Sequence, residues 1–290
     1  MQRVWVLLGI ASLLFCALAS ARQSTSSGGA SGLETSQTAS IIQQSLAALT
    51  GGSPVTDVTM KGAYTVAKAS GTQSGTITMV ATASGQGQST VTLPSGTYTE
   101  IRSMAAGSAS MIEIGPDGLS HAISTQTAVS PNPAWFCPAL VLAAASLPNY
   151  ASSYIGPETL NGEAVQHLAV WWLPGSSSSA SASWTQFWQQ VTRHDIYLDA
   201  SSLLPVSMTF LLHPYDIQNP GKPLTTYGGG SSDRPVQLLF SDYQVVQGRS
   251  VALHIHGILK TGVGTVISDI HISSVTFNTG ATVTMPTTAN

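Results

Sequence analysis

The side chains best able to do chemistry lie near the C-terminus. His254 and His256 alternate with Leu253 and Ile255, so on an extended strand the two imidazoles share one face and the aliphatic side chains take the other. Counting across the turn at residues 260–264 places His254 beside His271 and His256 beside Asp269. Three imidazoles and a carboxylate on one patch form a ligand set that zinc accepts. No spacing signature of the zinc enzymes accompanies them, however, and they fall on the polar, convex face of the strand, where histidine is ordinary. No metal is assigned from the sequence.

Arg193-His194-Asp195 is the other tempting cluster. Neighbours on a strand point to opposite faces and cannot act as one unit, so one of His194 and Asp195 is expected to lie inward and be satisfied there. The chain contains no G-x-S-x-G elbow, no H-E-x-x-H helix and no glycine-rich phosphate loop. Neither an enzymatic activity nor a cofactor is expected. The ten basic residues are scattered and the net charge is −3; a phosphate backbone demands clustered Lys and Arg, which excludes nucleic acid as a partner. Trp171 and Trp172 fall on opposite faces of a strand, and Trp184, Phe187 and Trp188 flank a Ser-rich run. Such rings suit peripheral contact with a membrane, although partial burial is their commoner use.

The N-terminus bears on where these residues operate. Arg3 precedes an apolar run over residues 4–19, and Ala19-Ser20-Ala21 offers small residues at the spacing a signal peptidase reads. Residues 1–21 are therefore expected to be a signal peptide, and the mature chain to reside in the periplasm or cell envelope. Cys16 lies within that run, but Phe15 occupies the place where a lipobox needs a small residue, which argues against lipidation. Once Cys16 is removed Cys137 is alone and no internal disulfide is available. Next to Trp135 and Phe136, Cys137 reads as a small buried hydrophobe.

The elements that position these residues follow from periodicity. Residues 22–37 are rich in Ser, Gly and Thr and read as a flexible linker, leaving residues 38–290 as a single domain. Residues 40–49 read as a helix with Ile41, Ile42, Leu46 and Leu49 on one face, Ser40 and Gln43 as a capping box, and Gly51-Gly52 as its stop. From Val55 the period becomes two, with Val58, Met60, Tyr64 and Val66 on one face and Thr59, Lys61 and Thr65 on the other. Turn chemistry then separates strand after strand, with Asn161-Gly162 the strongest hairpin signal. Residues 135–146 are apolar nearly all round and predict a helix buried against the sheet. Residues 176–183 read as a loop or insertion, and residues 213–233 as a long irregular excursion of the kind that is functional or disordered. The count is about eleven strands and two helices with no βαβ alternation. A sheet that long must curl and keep its apolar side on the concave face.

The order of these pieces resembles the LolA/LolB superfamily of bacterial envelope proteins, with its RseB-type and LppX-type relatives. The likeness is carried by His194-Asp195-Ile196-Tyr197-Leu198-Asp199, Leu204-Pro205 and Met208, then Phe240-Ser241-Asp242-Tyr243 and Gly248, then Val275-Thr276-Phe277-Asn278 and Pro286. The N-terminal helix ending at Gly51-Gly52 and the meander after it are similar too. The resemblance implies an α+β fold, an antiparallel LolA-like half-barrel closed by helices around an apolar cavity for acyl chains. On that fold the cavity would be lined by Tyr64, Val66, Ile77, Met79, Val91, Leu93, Trp135, Phe136, Met208 and Phe210. A core and a greasy cavity use the same amino acids, so any of these could instead only pack on the helices. The expected function is a monomeric, non-enzymatic carrier of a lipid or a lipid-modified protein. The alternative is a sensor of the same fold that binds a partner protein, and a metal-dependent hydrolase built on the histidine patch ranks behind both.

Overall fold

In the computed structural model the described residues are 31–104, 109–123, 132–173, 182–212, 234–261 and 264–286. The expected signal peptide, residues 176–181 of the loop expected at 176–183, and the excursion at 213–233 lie outside them. Among the described residues thirteen strands, rather than about eleven, form one antiparallel sheet. The first half supplies β1 (Asp57–Lys68), β2 (Gly71–Thr82), β3 (Gln86–Leu93), β4 (Gly96–Ser103), β5 (Ser110–Ile114) and β6 (Ser120–Ile123). The second half supplies β7 (Tyr150–Leu160), β8 (Glu163–Trp172), β9 (His194–Asp199), β10 (Pro205–Leu212), β11 (Arg234–Val246), β12 (Arg249–Thr261) and β13 (Gly264–Phe277). Among the described residues three helices accompany them: α1 (Ser31–Thr50), α2 (Pro138–Ala144) and α3 (Ala182–Thr192).

Each half is a meander, and the two meet where β1 pairs with β13, so the first and last strands lie side by side in the middle of the sheet. Asn161 and Gly162 both adopt positive φ, 53° and 90°, which gives the β7–β8 hairpin the twist of its strands. At the central seam a bulge between Lys61 and Gly62 interrupts the register with β13. A side chain at Gly62 would stand 2.2 Å from the carbonyl oxygen of His271, so only glycine permits that close approach. The sheet is curved and unclosed. Its ends are bridged by a small cluster in which Met104 and Met111 meet Tyr150, Trp172 and Trp188.

The main core lies on the concave face, where Met60, Met79, Leu168, Ile196, Met208 and Ile255 pack against Ile42 and Leu49 of α1 and Leu140, Val141 and Leu142 of α2. Ser45 of α1 donates to the Leu203 carbonyl at 2.8 Å, and Thr38 accepts from the Tyr154 amide at 2.9 Å; these bonds fix the helix across β7 and the β9–β10 turn.

Several expectations are corrected. Residues 31–37 are helical rather than linker, and Ser40 sits mid-helix, where its hydroxyl accepts from Gln44 at 2.9 Å instead of capping. The apolar segment at residues 135–146 is helical only over Pro138–Ala144, because Asn132 to Cys137 are held in turns by backbone bonds. Residues 182–192 form α3, which Ser-rich surroundings conceal.

Candidate functional site

The apolar faces of β1, β2, β3, β12 and β13 build a groove along the concave side. α1 and α2 fill one end of that side. Toward the β1–β2 and β12–β13 turns it is hollow, a cavity of about 900 Å³ whose walls include Tyr64, Val66, Val91, Leu93, Leu259 and Val266. A second hollow of about 270 Å³ continues inward. Tyr64, Val91, Leu259 and Val266 wall both, so the two are one groove. Trp135, set edge-on to Phe136 with ring centroids 5.5 Å apart, forms part of the inner wall. The larger hollow alone lies in the range that small-molecule sites occupy, about 300–1,000 Å³, and the two together slightly exceed it.

Of the ten residues named for a cavity, Tyr64, Val66, Ile77, Val91, Leu93, Trp135 and Phe210 line this groove. Met79, Phe136 and Met208 do not: all three are fully buried in the core beneath it. Met79 and Met208 have the same strand periodicity as the lining residues, from which depth along the sheet separates them, whereas Phe136 lies in the turns ahead of α2. Sequence reading missed the polar groups. Lys68 and Arg234 stand at the wide end of the groove, where the described lining residues include no acid. Glu100 and Arg102 line the inner hollow, with Arg102 almost fully buried and its Nε donating to Glu100 Oε1 at 2.7 Å. The signal was available: positions 100 and 102 alternate with the buried Ile101, so both face one way.

His194 and Asp195 divide between the faces of β9. His194 is buried; its Nε2 accepts from the Asn132 amide at 3.0 Å and its Nδ1 donates to the Thr192 carbonyl at 2.9 Å. Burial pushes its pKa down to about 4, with Arg102 adding to that direction. Asp195 faces outward, where Arg193 binds it through two nitrogens and His167 Nε2 lies 2.7 Å away. His167 Nδ1 is 2.8 Å from Glu158, and the ring stacks on Tyr197. Burial of His167 works against its charge, but the carboxylates on both ring nitrogens outweigh it and raise its pKa. Cys137 is buried, and burial pushes its thiol up to about 11, as befits a core residue.

On the outer face of the central strands His254 pairs with His271 and His256 with Asp269, the register counted from the sequence. His256 Nδ1 lies 2.7 Å and His254 Nε2 3.2 Å from one oxygen of Asp269. The hydrogen bond from His256 holds the Asp269 carboxyl below the usual carboxylate range, against a smaller opposing effect of burial.

No protein-family model matches the chain, and no curated protein is significantly similar to it in sequence. Solved structures do share its fold. A DUF1329 family protein from Desulfovibrio piger superposes with a TM-score of 0.50 at 11% identity, over 84% of this chain and 95% of that one. A domain named for outer membrane lipoprotein sorting, from Vibrio parahaemolyticus, gives 0.49 at 14% identity over 85% and 94%. A LolA superfamily protein from Nitrosomonas europaea gives 0.48 at 11% identity over 83% and 93%. At such identities the likeness is one of fold. The chain is a LolA-like α+β half-barrel, the architecture that the order of its motifs implied.

Proposed function

We propose that this protein is an exported, non-enzymatic carrier that holds an acyl chain or a similar apolar group in the groove, with any anionic end of the ligand at Lys68 and Arg234. The observation that carries this reading is the continuous hollow between Leu93 and Trp135, walled by aliphatic and aromatic side chains. Burying about ten methylenes contributes on the order of 8 kcal/mol before ordering costs. No specific polar contact is needed for that affinity. The two cations, at a mouth whose described lining residues include no acid, favour a carboxylate or phosphate head over a neutral one.

Native mass spectrometry of the protein purified from the cell envelope tests the proposal. Co-purified lipid, displaced by a fluorescent fatty acid, supports it, and Val266→Trp should weaken that displacement at least about tenfold by occupying the hollow. A fatty alcohol of equal length should bind more weakly than the acid. A peptide in place of lipid would favour the sensor reading. Empty protein that also fails to bind the fluorescent acid would end both. N-terminal sequencing of the same sample should begin at Arg22, since the small residues before it invite cleavage.

A further inference from the structure

We propose a site for a late first-row divalent cation, zinc being the test ion, on the outer face of the sheet, with His254, His256 and Asp269 as its core ligands and His271 as the fourth. One imidazole nitrogen from each of His254 and His256 and one carboxylate oxygen of Asp269 lie within 4.8 Å of one another. Both imidazole nitrogens point at the same carboxylate oxygen, so the three donors already converge on a common centre. Metal–ligand bonds of about 2.0–2.2 Å require a contraction that rotation about the histidine side-chain bonds supplies. The ring of His271 lies parallel to that of His254 with centroids 4.4 Å apart, next to the same centre. Swinging it off the stack completes a tetrahedron of three imidazoles and one carboxylate.

The scaffold under these donors is stiff. β12 and β13 lie inside the sheet with neighbours on both sides, and Ile255 and Ile270, on the reverse of the same strands, are buried in the main core. The donors therefore sit at fixed strand positions two residues apart on each of two paired strands. From β11, Ser241 Oγ lies 3.1 Å from His254 Nδ1. That contact leaves the opposite nitrogen, Nε2, directed at the centre, which is how an outer-sphere partner orients a ligating imidazole. The residues registered beside the four on β1 and β11 are Ala63, Thr65, Leu239 and Ser241, with no Lys or Arg among them to oppose a cation. A nitrogen-rich donor set selects zinc, copper or nickel over calcium and magnesium, which want oxygen.

The site lies on the face opposite the groove, so its fate and that of the carrier reading are separable. Untagged mature protein, stripped with a chelator, would be titrated calorimetrically with Zn2+ and its visible spectrum recorded with Co2+. One ion per chain is expected, with an intense four-coordinate Co2+ band. His256→Ala and Asp269→Asn should each weaken binding by more than about tenfold. His271→Ala should retain an ion but alter the band, whereas His121→Ala, an exposed histidine on β6, should change nothing. Because these side chains face outward, metal-free variants should melt like the parent, and Zn2+ should raise the melting temperature of the parent and of His121→Ala but much less that of His256→Ala or Asp269→Asn. Absence of stoichiometric binding by the folded parent, or equal affinity in folded His256→Ala, overturns the proposal. Val266→Trp, which addresses the groove, should leave the zinc titration unchanged.

Discussion

His194 and His167 lie on adjacent strands, face opposite sides of the sheet and titrate in opposite directions. His194 accepts the Asn132 amide hydrogen through Nε2, so protonating that nitrogen would set one donor against another. Its pKa falls from 6.5 unfolded to about 4 folded. Below about 6.5 the unfolded chain takes up a proton that the native state refuses, and stability declines until about pH 4, by roughly 3 kcal/mol. For His167 the sign reverses: its folded pKa is raised, so its contribution is complete below 6.5 and is lost as the pH rises through the folded value. Urea unfolding should therefore find stability, as far as these two residues govern it, greatest near pH 6.5. His194→Gln should flatten the acidic limb, and His167→Gln the alkaline one. The faces of the two residues were legible from strand alternation, but their partners were not. Asn132 lies 62 positions from His194, and Glu158 and Asp195 reach His167 from different strands. For Glu100 and Arg102, alternation with Ile101 shows that the two share a face but not that this face turns inward. Glu100→Gln should cost about 1–3 kcal/mol in thermal or chemical unfolding, because it removes the charge from a bond to an almost fully buried arginine.

At the scale of elements, turn chemistry placed strands along the whole described sheet, though the count of about eleven fell short of thirteen, while the helices were read less well. α1 runs past the expected start because tertiary bonds from Thr38 and Ser45 hold a segment whose composition alone suggests none. α3 carries Phe187, Trp188 and Val191 at helical spacing, a signal masked by the Ser-rich run before it. α2 has the consequence for function. Trp135, just ahead of it, forms part of the inner wall of the groove, and under the proposed carrier function it would be the stop that sets how long a guest can be. Trp135→Ala should extend the inner hollow past Phe136 and move the preferred chain length upward. Each added methylene is worth about 0.8 kcal/mol until the new wall is reached. Displacement of a fluorescent acid by a series of fatty acids would show the shift; an unchanged preference would mean that the ligand does not reach α2.

For the whole molecule, the decisive feature is the pairing of the first strand with the last, and no local pattern announces it. Periodicity shows that β1 and β13 are strands, and the resemblance of motif order supplies the half-barrel, but contact between residues some two hundred positions apart is a property of the closed fold. It is reinforced just beyond β13. Asp57 is buried at the start of β1, and its carboxylate accepts from the Thr279 amide and hydroxyl at 3.0 and 3.1 Å and from the Gly280 amide at 3.1 Å. Asn278, in a left-handed conformation with φ 56°, accepts from the Thr56 amide at 2.8 Å. Burial alone would raise the Asp57 pKa, but the amide of Thr279 and its neighbours outweigh it and the net shift is downward. The stability this clasp contributes is thus present above about pH 3.8 and lost as the pH falls through the lower folded value. Asp57→Ala should cost about 3 kcal/mol, since it strands several donors at once. Releasing the clasp would let β1 and β13 separate and expose two long edges in mid-sheet, the arrangement most prone to pairing between molecules. Hydrogen exchange in this variant should accelerate first in β1 and β13 while β8 and β9 stay protected. Uniform acceleration across the sheet would instead show that the two halves unfold together and that the seam is no weaker than the rest.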